Sequence, residues 1–311
     1  HGVTGNGTPP RGPLTTMAHA FKPRGYRCFH TGHMHWAKGL DHGYEPEDFG
    51  AARKEWRKEL SPAAESRLEA ENATEIRRTC GGPGPRKAHE HTGWADKEAT
   101  IAFLEEVAEN GESFLAFCPF SEPHPPWFPP REYYDRVDQA RLPNIPEPPQ
   151  GAPEPHPWSR NRQDEFAHLT DVEYRQITAA YYGLTMMMDD FAGEVMSALD
   201  RLGLRENTIV IWTSDHGEQI GEHALLTKFI TREASVHVPL MIDVPGHPPG
   251  DVDALVEHVD LFPTICDLAG IETPDTVQGR SLAPFLRPAG LAEAPEHRRD
   301  AVFSEIKQGD A

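Results

Sequence analysis

The pattern of apolar and polar positions along the chain predicts alternating strands and helices. Compact apolar runs predict strands within residues 25–31, 113–120, 208–218, 238–244 and 301–306. Apolar positions at helical spacing predict helices near residues 15–21, 94–110, 172–202 and 257–269. Such alternation is typical of an α/β fold, in which a sheet is covered by helices on both faces.

Glycine, proline and charged residues indicate where these elements end. Gly111, Gly203 and Gly270 follow three of the helical patterns and are predicted to end them. The charged or proline-rich segments 60–91 and 138–163 are predicted to be long surface insertions, and loops of this kind often decide specificity. Within the long helix, the three methionines at 186–188 are predicted to pack in the core.

The segment 208–218 is the most informative part of the pattern. It runs from an apolar strand directly into Asp215, His216 and Gly217. Open α/β sheets bind ligands at the carboxyl ends of their strands, so this carboxylate and imidazole are candidate metal ligands. The simpler interpretation is an aspartate that only caps the strand end. His124 follows the strand at 113–120 in the same way, on a proline-rich loop.

Composition and charge exclude some partners. The 311 residues are 38% hydrophobic, enough for a sizeable core, and 30 basic against 49 acidic residues give a formal charge of −19. This charge argues against nucleic-acid or anionic-membrane partners, and no apolar run is long enough to span a bilayer. An anionic substrate would then need a local cluster of cations.

Cysteine usage leaves the compartment open. The four cysteines lie far apart without a CxxC pair, which argues against a zinc knuckle and favours buried thiols. Neither a cytoplasmic nor a periplasmic location is excluded. The sequence carries no signal for an oligomeric state.

Several blocks resemble one known family. Residues 214–223 read Ser-Asp-His-Gly-Glu-Gln-Ile-Gly-Glu-His, followed by Lys228 and by Ser-Val-His-Val-Pro-Leu at 235–240. Together they resemble the second signature block of the sulfatases of the alkaline phosphatase superfamily. Further blocks follow in the family's order, at residues 1–9, 25–27, 32–36, 123–125, 207–210 and 258–264. The resemblance covers nearly the whole chain.

The resemblance implies a three-layer alkaline-phosphatase-like fold, with a mostly parallel mixed central sheet and residues 1–311 in one domain. Sulfatases use a formylglycine nucleophile made from a Cys/Ser-x-Pro/Ala-Ser-Arg motif, and that motif is absent from these residues. We therefore expect the domain to be incomplete at both ends. The nucleophile segment is expected upstream and a smaller subdomain downstream, and the chain alone is expected to be inactive.

The implied activity is hydrolysis of the sulfate ester of a small molecule or carbohydrate. One divalent metal would be bound in part by Asp215 and His216. Calcium is the family's usual metal and suits carboxylate oxygen, while the imidazole leaves manganese or zinc open.

The resemblance also assigns roles to three further side chains. Lys228 and His35 match residues that contact the sulfate, and His124 matches a histidine that binds the sulfate or protonates the leaving oxygen. The structural alternatives are a solvated lysine and loop histidines without a chemical task. His223 is a candidate for a supporting role, whereas His42, His89, His91 and His247 are predicted to be ordinary loop histidines, and Asp260 a helix anchor.

His33 is where the chain departs from the family. Sulfatases usually have lysine there, in Gly-Lys-x-His, and a histidine supplies less fixed positive charge. Phosphonate monoester and phosphodiester hydrolases of the same fold also vary there, and they share a stretch like residues 6–9 whose asparagine, here Asn6, lies near the substrate. His33 and Asn6 are thus candidate substrate-binding residues, and those hydrolases are the alternative function. A non-catalytic protein related to the sulfatases is the third possibility for the function.

Overall fold

The computed structural model describes residues 12, 14–32, 34–35, 39–46, 50–73, 79–144, 156–286 and 298–305. The α-helices in these ranges are α1 (Met17–Phe21), α2 (Ala51–Glu59), α3 (Pro62–Glu71), α4 (Thr92–Asn110), α5 (Arg131–Tyr134), α6 (Pro157–Phe166), α7 (Asp171–Arg201), α8 (Glu233–Val236), α9 (Leu261–Leu268) and α10 (Ala283–Leu286). The strands are β1 (Tyr26–His30), β2 (Ser113–Phe117), β3 (Val210–Thr213), β4 (Gln219–Ile220), β5 (Leu226–Thr227) and β6 (Leu240–Asp243).

The strands pair two by two in the described part of the chain. β1 and β2 are parallel, with Tyr26 opposite Ser113, whereas β3 and β6 are antiparallel, with Val210 opposite Asp243. β4 and β5 form a short antiparallel pair. The predicted α/β class and the mixture of parallel and antiparallel pairs are confirmed, although one continuous sheet was expected.

Helices cover both faces of the β1–β2 pair. Successive residues of a strand point to opposite faces, and Cys28 and Phe29 show this directly. Phe29 packs with α4 and α7, stacking on Phe103 with ring centroids 4.4 Å apart. Cys28 packs on the other face, with Phe21 of α1 and Cys266 of α9. The three-layer arrangement is therefore present around this pair.

The two long helices match their predicted spans. α4 ends where Gly111 adopts a φ of 66°, and α7 is followed by Gly203 at 68°. Thr170 begins α7 with a capping box, in which its backbone N–H donates to the Glu173 carboxylate over 2.8 Å. Met187 is fully buried in the core, as predicted for the methionines of this helix.

The prediction of a surface insertion at 60–91 and that of a strand at 301–306 are wrong, and the segment 138–163 contains the start of a helix that was not predicted. The segment 60–91 is not simply a surface insertion, because α3 lies within it and the Arg86 guanidinium is buried against Glu71. The segment 138–163 carries the first part of α6. Residues 301–305 form no strand, and Ile306 lies outside the described residues. The charge and proline content of these segments is typical of loops, so the helices were not predicted. Their stabilising contacts come from residues distant in the sequence.

Asp260 lies at the start of α9, where a helix anchor was predicted, and it also holds the carboxyl-terminal part of the described chain. It is fully buried and accepts hydrogen bonds from the backbone N–H groups of Glu257 and Arg280. The Arg299 guanidinium completes its coordination, with Nη2 2.6 Å from Oδ1. Asp260 therefore joins the start of α9 to residues 298–305.

The cysteines are all free, and two of them fit the predicted burial. Cys28 and Cys266 are buried, whereas Cys118 is partly buried and Cys80 is exposed, against expectation. Among the helices of the described ranges, none has the length and apolarity needed to cross a membrane.

Candidate functional site

A cavity of about 2660 Å³ lies between β2 and β3 and extends along both strands to the loops that follow their carboxyl ends. Its lining includes His35, His124, Asp215, His216 and Lys228. Asp215 and His216 are adjacent, whereas the other three come from distant segments of the sequence, and all five line the same cavity. The other two predicted site residues, His33 and Asn6, lie outside the described residues.

The turn after β3 is held by its backbone. The Ser214 hydroxyl donates to the His216 carbonyl over 2.7 Å, and the Gly217 N–H donates to the Ser235 carbonyl over 2.8 Å. A Cβ at position 217 would lie 2.0 Å from the Ala234 carbonyl oxygen, so only glycine fits this approach. The turn therefore presents Asp215 and His216 in a fixed geometry.

Asp215 and His216 form a compact pair of donors. Asp215 Oδ2 lies 3.5 Å from His216 Nε2, and the aspartate side chain is 86% exposed. His216 Nδ1 lies 2.8 Å from the Gly217 carbonyl, which only accepts, so Nδ1 carries a proton. In the neutral ring Nε2 then keeps its lone pair on the side of Asp215, an orientation typical of metal-binding histidines.

Asp215 and His216 together have the chemistry of part of a metal site. One carboxylate and one imidazole suit a divalent cation, and both face the cavity. In the described part of the chain, no group of three or more His, Cys, Asp or Glu side chains could hold a metal ion. Among the described residues, Asp215 and His216 are therefore a pair of potential donors and not a complete metal site.

Lys228 follows β5 and lies near a buried carboxylate that the sequence interpretation missed. Burial raises the pKa of Glu218 to about 8, although Lys228 and the Thr227 N–H act to lower it. Glu218 Oε1 is enclosed without a hydrogen-bond partner. Its place in the signature block, directly before β4, was the only signal in the sequence.

His124 lies on the loop after β2, and its ring is held by its own loop. Nδ1 donates to the Pro125 carbonyl over 2.8 Å. Glu122, two residues earlier, accepts from the Thr92 hydroxyl over 3.0 Å and lies 3.5 Å from His91 Nδ1. Burial is the largest effect and would raise the pKa of Glu122, but the interactions with His91, the backbone and Arg53 together outweigh it and lower this pKa to about 2. The loop therefore has a buried, charged anchor.

His91 itself corrects a prediction. It was expected in a polar loop, but its side chain is fully buried beside Glu122. His42 is also buried, whereas His247 is exposed as expected. Burial of the first two follows from packing across the segments 39–46 and 79–91, which the local sequence does not reveal.

The segment that carries His35 packs against the end of β2. Gly32 has a φ of 85°, and a Cβ there would lie 2.4 Å from the Pro119 carbonyl oxygen. This close approach fixes the backbone at Gly32, and the His35 side chain is exposed at the cavity. His258 was not predicted as a site residue, yet it also lines the cavity, with Nε2 2.8 Å from the Ser214 carbonyl.

The family model described as Sulfatase matches residues 1–271. The chain belongs to the sulfatase family. It is 33% identical over 207 residues to the multifunctional alkaline phosphatase superfamily protein PehA of Trinickia caryophylli, a match that covers 61% of this chain and 40% of the relative. It is 31% identical over 211 residues to arylsulfatase K of Xenopus laevis, covering 62% of this chain and 39% of that protein. The matches thus span about two fifths of these relatives.

Solved structures confirm the alkaline-phosphatase-like α/β fold of this sulfatase. The phosphonate monoester hydrolase SpPMH of Silicibacter pomeroyi superposes with a TM-score of 0.74 at 25% identity, covering 95% of this chain and 65% of that one. A protein solved with its substrate D-glucosamine-2-N,6-O-disulfate superposes with a TM-score of 0.72. That match has 18% identity, covers 100% of this chain and 71% of the other, and supports the fold alone.

Proposed function

We propose that this sulfatase-family chain carries part of the active site of a sulfuric ester hydrolase. The observation that supports the proposal best is the shared cavity, whose lining includes a lysine, histidines and a carboxylate from four separate segments of the chain. A site for a sulfate monoester needs cations for the anionic group and a proton donor for the leaving oxygen. The cavity offers side chains for both tasks despite the chain's charge of −19.

Lys228 and His35 are the proposed sulfate-binding groups. The lysine offsets negative charge that develops on the sulfate oxygens while the ester bond breaks. His33 and Asn6, which precede His35 in the sequence, are proposed to contact the same group. His124 is the proposed general acid: in its doubly protonated form, with Nδ1 held by the Pro125 carbonyl, Nε2 gives its proton to the leaving oxygen.

Asp215 and His216 are the proposed ligands for one divalent metal. The sulfatase family generally uses such a metal together with formylglycine. Calcium suits the carboxylate, and the imidazole also suits manganese or zinc. When bound, the metal would polarise the sulfate oxygens and hold the nucleophile. Asp215 contributes charge, and His216 is oriented by the Gly217 carbonyl. The formylglycine itself is proposed to come from sequence upstream of residue 1, because its motif does not occur within residues 1–311.

The proposed substrate is a small-molecule or carbohydrate sulfate ester. The relative from Xenopus laevis is an arylsulfatase by name. A phosphonate monoester or phosphodiester is the second candidate, because His33 replaces the usual lysine and SpPMH shares the fold.

The two candidate functions can be distinguished by the rates at which the protein hydrolyses a sulfate ester and a phosphonate ester. The full-length protein is assayed with p-nitrophenyl sulfate and p-nitrophenyl phenylphosphonate over a range of calcium, manganese and zinc concentrations. A higher kcat/KM for the sulfate supports the proposal, and a higher value for the phosphonate supports the second candidate. Hydrolysis of neither ester, together with no metal binding, would support a non-catalytic relative.

A further inference from the structure

The hairpin that leads into Lys228 contains unusual backbone conformations. His223, Ala224 and Thr227 have φ angles of 59°, 56° and 68°, in the left-handed region that favours glycine. For a β-branched residue such as Thr227, this conformation is an outlier that costs on the order of 1–3 kcal/mol. Such strain persists only where surrounding contacts impose it. The residue directly before Lys228 therefore needs an external restraint.

Helix α6 supplies contacts to this segment on both sides of Lys228. Arg162 Nη2 donates to Thr227 Oγ1 over 2.9 Å, and Trp158 Nε1 donates to the Phe229 carbonyl over 2.9 Å. Gln163 Nε2 also donates to the carbonyl of His223 over 2.8 Å. Three side chains of one helix thus hold the strained hairpin.

Arg162 is itself held firmly. Its side chain is only 13% exposed and pairs with Glu165. The guanidinium also lies over the rings of Phe166 and Phe229, 5.2 and 5.4 Å from their centroids. The backbone N–H of Thr227 donates a hydrogen bond to the Glu218 carboxylate. Thr227 is therefore fixed through its side chain and its backbone.

We propose that α6 is a clamp that positions Lys228 in the cavity, with Arg162 and Trp158 as positioning residues that act through Thr227 and Phe229. The inference rests on the proposed role of Lys228 at the sulfate. It assigns α6, which lies partly in a segment predicted to be a surface insertion, a task in the reaction. A misplacement of about 1 Å in such a group can lower a rate by about a hundredfold.

The test compares variants that remove or keep single contacts of the clamp. Thr227→Val removes the hydroxyl with little change in shape, whereas Thr227→Ser keeps it. Trp158→Phe removes the indole N–H that donates to the Phe229 carbonyl and keeps an aromatic ring. We expect T227V and W158F to lower kcat/KM for p-nitrophenyl sulfate about tenfold, and T227S to stay within about twofold of wild type. In the Lys228→Ala background, T227V should lower kcat/KM no further.

Arg162→Lys is a further test of the clamp, and Arg136→Lys is its matched control. Arg136 also pairs with a carboxylate, Asp190, and lies over a ring, that of Tyr133, but neither of these partners belongs to the hairpin that leads into Lys228. R162K should lower turnover about tenfold and R136K should leave it unchanged. Equal effects of T227V and T227S, or a further loss of turnover from T227V without Lys228, would overturn the clamp.

A second readout does not depend on hydrolysis. The rate at which an amine-reactive N-hydroxysuccinimide ester labels Lys228 is followed by mass spectrometry, with the exposed Lys58 as internal reference. We expect T227V to change the Lys228 rate at least threefold and T227S to leave it unchanged. An unchanged rate in T227V overturns the clamp. A changed rate in a protein that hydrolyses neither ester supports the clamp and rejects the proposed function.

Discussion

Single residues of the site differ in how they are oriented. His216 is fixed because its Nδ1 donates to the Gly217 carbonyl, and this bond leaves Nε2 facing Asp215. Asp215 is exposed and Glu122 is buried, so two carboxylates near one cavity have different tasks. One faces the proposed metal, and the other anchors the loop that carries His124.

Asp215→Asn should weaken metal binding. The amide has no net charge and replaces a carboxylate ligand, so we expect at least a tenfold loss of affinity for calcium or manganese. Isothermal titration of the full-length protein measures this affinity. Asp251→Asn, on an exposed loop, should bind metal as wild type does. Wild-type affinity in D215N would contradict the assignment of Asp215 as a ligand.

Glu122→Gln should change how stability depends on pH. The folded-state pKa of Glu122 lies near 2, below its usual value of 4.5, so its stabilising effect is complete above about pH 4.5 and is lost as pH falls towards 2. A shift of this size corresponds to roughly 3 kcal/mol. We expect E122Q to be less stable at pH 7 and to lose less stability between pH 4.5 and 3.

Denaturant unfolding at several pH values measures this dependence. Glu109→Gln, an exposed carboxylate at the end of α4, is the control and should follow wild type. If E122Q and wild type lose the same free energy of unfolding on acidification, Glu122 is not a charged anchor.

Among the elements, those with strong periodicity were predicted and those that depend on distant contacts were not. α4 and α7 could be recognised because their apolar faces repeat and glycine ends them. α6 was missed, since its residues read as charged and its main contacts lie on the hairpin 219–229. The pairing of β3 with β6 was equally hidden, because periodicity does not specify partners.

Gly217→Ala should destabilise the turn after β3. The new Cβ would lie 2.0 Å from the Ala234 carbonyl oxygen, so backbone must move, and we expect a loss of about 2 kcal/mol or more. Thermal unfolding and activity measure the effect. Gly193→Ala is the matched control, because it lies within α7 with no atom within 4 Å of a new Cβ. G193A should be neutral or stabilise by up to about 1 kcal/mol; similar losses in both variants would refute the packing argument.

At the scale of the whole molecule, buried polar contacts tie distant segments together. The family fold could be recognised from the blocks in the sequence, but the cavity between the strand pairs could not, because it depends on tertiary arrangement. The role of Asp260 was predicted in outline. Its partner Arg299 was not, since 39 positions separate them.

Arg299→Met should be strongly destabilising. It leaves the fully buried Asp260 carboxylate without its guanidinium, a type of change that typically costs about 3–5 kcal/mol. Urea unfolding gives the free energy directly. Arg201→Met removes an exposed pair with Glu105 and should cost about 1 kcal/mol or less. Comparable costs for the two substitutions would show that Asp260 is satisfied without Arg299.

The walls of the cavity come from chain positions as distant as His35 and Lys228. Contacts between such positions require closure of long loops, which slows folding far more than the formation of local helices. The cavity is therefore expected to assemble late, after α4 and α7. Apolar strand residues such as Phe117 and Trp212 are exposed even in the folded structure, so they stay open to other chains throughout this slow assembly, and the nascent protein is vulnerable to aggregation.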